Sequence, residues 1–393
     1  MVGSKEPAIV MNETRYDWLS DRWVIFAPNR DERPNEFGPT KKALPKEHLA
    51  CPFCSGSEHE TPEPTLVLPE IDFDETSTNR KADPGKRIAP DWQVRVVPNK
   101  FPAIPRFSNE HVNGFREMSS IGEAYQGEMS ANGTMHNRQQ HPPRQSQMLA
   151  ADHLFQKHLP SGAHEVIIES PVHIDSIASL PSEHIAIIFE AYRRRLNHWR
   201  SQRDLKYALI FKNYGADAGA SLYHSHSQLI SLDFVPCDIE RTNDRLALYH
   251  QRFGSCYICH LVAEEDERQE RILYSSENFV AMCPFASRFP YSFSVIPRMH
   301  RSRFEEIGQS ELRELSLAVK ATLSALESAH PSAAYNFVLQ TSPFQGGNEE
   351  SFHWRLRVIP RLSKIAGFEW GSDCFINTVT PEYAASVLRD HLE

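Results

Sequence analysis

The feature that most constrains this chain is that its second half repeats the first in kind and in order. Cys51-Pro-Phe-Cys54 is answered by Cys256-Tyr-Ile-Cys259, and the run from Trp92 to Pro102 by the run from Phe279 to Pro290. A strand-like stretch ending at His173 is answered by one ending at His300, and Tyr207–Phe211 by Tyr335–Leu339. A helical stretch over 182–202 is answered by one over about 309–329, and His224 through Pro236 by His353 through Pro360. The spacings agree as well: 51 residues separate His173 from His224, and 53 separate His300 from His353. Two copies of one α+β unit, 1–236 and 237–393, are the simplest account.

Composition narrows the class. A chain of 393 residues is long enough for two ordinary cores. A net charge of -9 argues against coating nucleic acid or anionic membrane through a general basic field, although a few local arginines can still hold a phosphorylated small molecule. No apolar run reaches membrane-spanning length, and Met1-Val-Gly-Ser-Lys-Glu-Pro lacks the profile of a signal peptide, so a cytoplasmic location is expected. Seven cysteines, four of them in Cys-x-x-Cys pairs, point to metal binding or redox chemistry before structural disulfides.

Some segments carry less information. Residues 1–15 read as a frayed leader, and Trp23–Phe26 as a short strand that runs into a turn bearing Arg30 and Arg33. The stretch from Trp92 to Ile104 reads as a strand closed by a turn. Residues 107–150, rich in Asn, Gln, Ser, Met and Gly, read as a long mobile insertion, with His111, His136 and His141 solvated. Ser182 is expected to cap the helix over 182–202.

The chemistry concentrates at His224-Ser-His226-Ser-Gln228, just after the glycine-bearing loop from Asn213 to Ser221. With a side-chain period of two, His224, His226 and Gln228 share one strand face. A Cys-x-x-Cys turn presents two thiolates at a spacing suited to tetrahedral zinc. The repeat then nominates two ligand sets: Cys51, Cys54, His173 and His224, and Cys256, Cys259, His300 and His353. Four protein ligands leave no open position, so such zinc is structural; a redox dithiol is the competing reading. If His224 ligates, His226 is left to act. A neutral imidazole whose remote N–H is held by a carbonyl can attack phosphorus, while Gln228 and the backbone N–H groups around Gly215, Gly219 and Ser221 meet the phosphoryl oxygens. The matched strand reads His353-Trp354-Arg355, which keeps the ligand and lacks the nucleophile.

These residues together resemble the galactose-1-phosphate uridylyltransferase family of the histidine-triad superfamily. The likeness rests on His-x-His-x-Gln, on Asn213…Gly219-x-Ser221, on Arg30-x-x-Arg33-Pro, on Cys51-x-x-Cys54 and on Pro-x-His173, and covers nearly the whole chain outside 107–150. It implies two tandem histidine-triad-like units, each an antiparallel sheet with packed helices, usually paired as a homodimer. It also implies a ping-pong reaction in which His226 takes a nucleotidyl group from a nucleoside-diphosphate hexose and passes it to a second phosphate, as in uridylyl transfer from UDP-glucose to galactose 1-phosphate. The candidate substrate-binding set is Arg30, Arg33, Asn99, Asn213, Gly219 and Ser221, with Lys364, Phe368 and Glu369 near the sugar. The family's uridylyltransferases usually have proline where this chain has Ser225. Ser225, Ser227 and the tail through Asn377 look closer to the ADP-glucose phosphorylase branch, which transfers adenylyl to phosphate. A hydrolase of dinucleoside polyphosphates and a non-catalytic zinc-binding module are the other readings.

Overall fold

A computed structural model describes residues 12–28, 30, 51–69, 91–105, 161–331 and 333–392. The expected insertion over 107–150 with its three histidines, Arg33, and the leader up to residue 11 lie outside the described residues.

In the first half, β1 (Glu13–Asp17) and β2 (Arg22–Phe26) precede β3 (Leu66–Leu68), β4 (Val94–Pro98) and β5 (Gly162–Ile168). Then come α1 (Ser182–Arg200), β6 (Tyr207–Tyr214) and β7 (His226–Leu232). Two helices, α2 (Cys237–Phe253) and α3 (Tyr257–Arg268), lead into β8 (Ile272–Ser275), β9 (Phe279–Met282), β10 (Phe293–Pro297) and α4 (Gln309–Ala329). The chain finishes with β11 (Tyr335–Gln340), β12 (Arg355–Pro360), α5 (Gly367–Ser372), β13 (Phe375–Asn377) and α6 (Pro381–Asp390).

Ten strands form one sheet in the order β3-β4-β5-β7-β6-β11-β12-β10-β9-β8, every pairing antiparallel. Read outward from the centre, each half has the same order: β6 and β11 meet edge to edge, then β7 and β12, β5 and β10, β4 and β9, β3 and β8. The fold is thus the expected α+β arrangement of tandem antiparallel units with packed helices. A smaller sheet, β1-β2-β13, joins the beginning of the chain to its end.

The helices cover the large sheet because their apolar residues fall at helical spacing. In α1 the buried Ile185, Ile188, Phe189, Tyr192, Leu196 and Trp199 form one stripe, each worth about 1.5–3 kcal/mol when fully buried. In α4 the stripe is Leu312, Leu315, Val319, Leu323 and Leu326, and α1 and α4 pack on each other over the centre of the sheet. α4 starts where Glu311 reaches back to accept the Gly308 N–H at 2.9 Å. α6 starts where Thr380 accepts the N–H of Tyr383, with Pro381 in its first turn.

Three local expectations need correction. Ser182 is the first residue of α1, and its cap position is Pro181, whose extended backbone turns the chain into the helix without a side-chain bond. Glu13–Arg15 are not frayed, because they pair in β1 against β2 and Arg15 bonds Glu382 at 2.8 Å. His224 lies in the bend just before β7, so only His226 and Gln228 share its regular pleat. Among the described residues no helix is long and apolar enough to cross a membrane.

Candidate active site and metal centres

The first Cys-x-x-Cys forms a tight turn, closed by the Cys54 N–H on the Cys51 carbonyl at 3.2 Å. The next N–H, of Ser55, bonds the Pro171 carbonyl at 2.9 Å and so ties this turn to the loop that carries His173. The geometry brings Cys51, Cys54, His173 and His224 together, their ligand atoms all within 4.8 Å of one another. His224 Nδ1 is 3.5 Å from both sulfurs, and His173 Nδ1 is 3.4 Å from Cys54. Bond lengths of about 2.3 Å to sulfur and 2.0–2.1 Å to nitrogen at tetrahedral angles put S and N about 3.6 Å apart, so these residues fit a four-coordinate metal. The remote Nε2–H of His224 donates to the Ser170 carbonyl at 2.8 Å, which fixes the tautomer with the Nδ1 lone pair toward the sulfurs.

The second centre has the same parts. Cys256, Cys259, His300 and His353 gather equally closely, with Cys259 3.5 Å from each Nδ1. The remote nitrogens again donate to carbonyls, His353 to Pro297 at 2.9 Å and His300 to Glu349 at 2.9 Å. Four such donors close the coordination sphere, which suits a structural metal and leaves no position for substrate.

His226 follows directly. Its Nδ1–H donates to the His224 carbonyl at 2.8 Å, which leaves the lone pair on Nε2. Burial lowers its basicity, the nearby Lys212 ammonium lowers it further, and these outweigh the opposing pull of the His224 carbonyl and Glu169, so the neutral imidazole is favoured. Phe53, inside the turn from Cys51 to Cys54, stands edge-on to the His226 ring at 5.3 Å.

Behind β7 lies a fully buried charged network. Lys212 Nζ donates to Glu169 at 2.5 Å, to Ser225 Oγ at 2.8 Å and to the His226 carbonyl at 3.1 Å. Ser225 donates to the same carboxylate at 2.6 Å, while Tyr192 donates its one O–H to Glu169 at 3.1 Å and accepts from Ser227 Oγ at 2.7 Å. The two serines of the motif therefore anchor the backbone on either side of His226.

On the outer face, Gln228 is oriented by His164 of β5. The Ala103 N–H donates to His164 Nδ1 at 3.1 Å, so the proton sits on Nε2 and donates to Gln228 Oε1 at 2.8 Å. Gln228 thereby presents its amide N–H groups as donors. Asn99 adjoins this group, with Nδ2 3.1 Å from His164 Nε2 and Oδ1 accepting from Phe101.

The remaining candidates are spread more widely. Asn213, next to last in β6, accepts from Asn336 Nδ2 at 2.8 Å, which also holds the Ala218 carbonyl at 2.8 Å. Gly215 and Gly219 take φ of 79° and 87°, a conformation that favours glycine, and a Cβ on Gly215 would meet Ala334 at 2.9 Å. Gly219 and Ser221 are exposed on this loop. Arg30 is exposed beyond β2, in the smaller sheet. Lys364 and Phe368 are exposed, and Glu369 accepts the Ala366 N–H at the start of α5, which packs on β13. None of these four is joined to His226 by a described hydrogen bond or ring contact.

Sequence reading missed Lys212, Glu169, Tyr192 and His164. A lysine inside the apolar strand Tyr-Ala-Leu-Ile-Phe-Lys and a glutamate closing His-Glu-Val-Ile-Ile-Glu were a legible signal for a buried pair. Nothing in the chain announced that His164, 64 residues from Gln228, faces it.

The family model described as "Domain of unknown function (DUF4921)" matches residues 18–393. Galactose-1-phosphate uridylyltransferase of Thermotoga maritima is 30% identical over 97% of this chain and 98% of its own length. ADP-glucose phosphorylase of Arabidopsis thaliana is 29% identical over 96% of this chain and 92% of its own. A crystal structure of an ADP-glucose phosphorylase from that plant with bound ADP-glucose superposes with a TM-score of 0.72 at 28% identity, covering 97% of this chain and 98% of the other. A solved uridylyltransferase gives 0.63 at 23% identity, over 97% and 98%, which supports the fold alone.

Proposed function

Because this chain belongs to the galactose-1-phosphate uridylyltransferase family, we propose that it is a nucleotidyltransferase acting on nucleotide sugars and hexose 1-phosphates through a covalent nucleotidyl-histidine. The observation that carries the reading is the pairing of His226, whose Nδ1–H is spent on the His224 carbonyl, with Gln228 two residues on, whose amide N–H groups are turned outward by His164.

In the first half-reaction the Nε2 lone pair of His226 attacks the α-phosphorus of a nucleoside-diphosphate hexose. An N–P bond forms, the P–O bond to the β-phosphate breaks, and hexose 1-phosphate departs with that electron pair. In the second, an oxygen of the acceptor phosphate attacks the same phosphorus and His226 leaves as neutral imidazole. The acceptor is already anionic near neutral pH, so no strong general base is required. Gln228, together with the N–H groups of the loop from Asn213 to Ser221, steadies the phosphoryl oxygens as charge shifts onto them. Arg30, Arg33 and Asn99 serve the nucleotide, and Lys364, Phe368 and Glu369 the sugar.

Zinc is the metal we assign to both centres. Bound there, it would hold its ligand strands in place and leave the chemistry to His226. Elemental analysis is expected to find about two zinc ions per chain, falling to one in Cys256→Ser, in keeping with four ligands per ion; an unchanged ratio would remove the second centre. The same reading divides the chain into units 1–236 and 237–393 and pairs two chains as a homodimer, which light scattering checks.

The first reading of the substrates is UDP-glucose with galactose 1-phosphate. One observation favours a second, ADP-glucose with phosphate: Ser225 replaces the usual proline and is committed to Glu169 and Lys212. Incubation with each labelled nucleotide sugar, followed by denaturation at neutral and acid pH, decides between them. One sugar should leave acid-labile label on wild type and none on His226→Ala. Turnover without protein-bound label would refute the covalent route.

A further inference from the structure

Position for position β12 answers β7, so Arg355 stands where His226 stands and Arg357 where Gln228 stands. Both alternate with buried residues on β12, and both line a cavity of about 140 Å3 together with Arg288 from the segment after β9. The hairpin of β1 and β2 closes it through Tyr16, Asp17 and Arg22.

Three guanidinium groups in one cavity need counter-charge, and the described residues supply it only at a distance, from Asp17 and Asp238. Among the described residues none of Arg288, Arg355 and Arg357 has an ion pair. Arg355 Nε donates to the neutral Gln340 at 3.0 Å, and Arg288 lies 5.2 Å over the Phe375 ring. The two carboxylates that reach the cavity make their close contacts with other groups. Asp238 pairs with Arg22 at 3.3 Å and Arg241 at 3.9 Å, and Asp17 accepts from Ser20 Oγ and the Leu19 N–H. Burial first and mutual repulsion second push Arg288 and Arg357 down to about 10. Ser292, also in the lining, has a buried Oγ with no partner among the described residues.

A planar fork of donors repeated three times, beside an idle hydroxyl, matches an oxyanion. The volume suits a small anion, since pockets for drug-sized molecules run to roughly 300–1,000 Å3. We propose that this second-half cavity binds one phosphoryl group, either inorganic phosphate or the phosphate end of a small sugar phosphate, through Arg288, Arg355, Arg357 and Ser292. The half that lacks the nucleophile has kept a place for the anion, and its occupant ties the β1–β2 hairpin to the large sheet. This inference stands on the second half alone and is independent of the covalent reading of His226.

Equilibrium dialysis of labelled inorganic phosphate against full-length, metal-loaded His226→Ala protein tests it without interference from turnover. Saturable binding of one phosphate per chain at millimolar phosphate is expected. Arg357→Gln and Arg288→Gln, each built on His226→Ala, should weaken it about tenfold or more, the worth of one charge-assisted hydrogen bond. Competition by glucose 1-phosphate identifies a sugar phosphate as the occupant, and absence of competition identifies free phosphate; both outcomes support the site. Circular dichroism accompanies each variant. Should a glutamine variant fail to fold, Arg357→Lys keeps the charge, loses the fork, and is expected to weaken binding as well. Absence of saturable binding in the His226→Ala protein, or unchanged affinity in folded arginine variants, overturns the proposal.

Discussion

β7 and β12 hold matched places in one sheet and each begins just after a histidine of a metal centre, yet what lies behind them differs completely. Behind β7 sit Glu169, Lys212, Ser225, Ser227 and Tyr192; behind β12 the register puts Leu339 at the place of Lys212, Trp354 and Leu356 at the places of the two serines, and α4 brings Val319 to the place of Tyr192. Trp354 is fully buried with no partner for its indole N–H among the described residues, packed against Phe279 and Phe304. The second half demonstrates that this architecture is satisfied by an apolar layer. Apolar residues are often neutral or better than a buried ion pair for stability. The charged network in the first half is therefore there for what it positions: the backbone around His226, held through its own carbonyl and the two flanking serines.

The largest effect that sharpens this contrast is at the proposed nucleophile. His226→Ala should lower turnover by about 10^4–10^6, the range in which loss of a covalent nucleophile falls. Writing the motif into the other half, Arg355→His with Arg357→Gln, should not add a second labelled histidine, because the Lys212 network has no counterpart there. A labelled second half would break the comparison, since it would make the histidine sufficient without its support.

Next in size is the network itself. Lys212→Met strands a buried Glu169 carboxylate and should cost about 3–5 kcal/mol of unfolding free energy in urea. The matched Leu339→Met strands no charge and should cost less than about 1.5 kcal/mol. Equal costs at the two positions would show that the first half gains nothing special from its pair.

A smaller effect is expected at the orienting histidine. Gln228→Ala should lower kcat about 100-fold, as removal of one donor to a developing charge does elsewhere. His164→Ala leaves that donor present but unfixed, so a drop of about tenfold, carried by kcat and not KM, is expected. His164→Gln, which can still donate to Gln228 Oε1, should recover part of it; a change confined to KM would make His164 a substrate contact.

Most of the scaffold was legible because the signals were periodic and doubled. The two Cys-x-x-Cys turns and four histidines were paired correctly from spacing, and Gln309–Ala329 and Tyr207–Phe211 fell where their apolar patterns placed them. What was not legible came from pairings with no periodicity to announce them. Glu13–Asp17 looks too polar for a strand until β2 and Glu382 are beside it. Ser225 and Ser227 read as substrate-related variations, whereas their partners, 13 and 35 residues away at Lys212 and Tyr192, make them part of the core. Arg355 is noted only for what it replaces and Arg357 not at all, because a cavity cannot be seen in a strand pattern.

The smallest expected effect is on acid stability. Burial pushes Glu169 up, but the Lys212 ammonium, with hydrogen bonds from Lys212 and Ser225, outweighs it and holds the carboxylate below its ordinary range. A depressed folded-state pKa contributes stability that is present above the unfolded value, about 4.3, and is lost as pH falls through the folded one. The apolar layer behind β12, with Leu339, Trp354 and Leu356, contributes no such term. Replacing the pair together, Glu169→Leu with Lys212→Met, removes both charges at once and should leave stability near neutral pH within about 1–2 kcal/mol of wild type. Between neutral pH and the acid side of 4.3 the double variant should then lose less stability than wild type, by about 1.4 kcal/mol for each unit of depression removed. Urea-unfolding midpoints across that window measure the difference, and identical acid dependence in the two proteins would mean that the pair is not linked to proton uptake on unfolding.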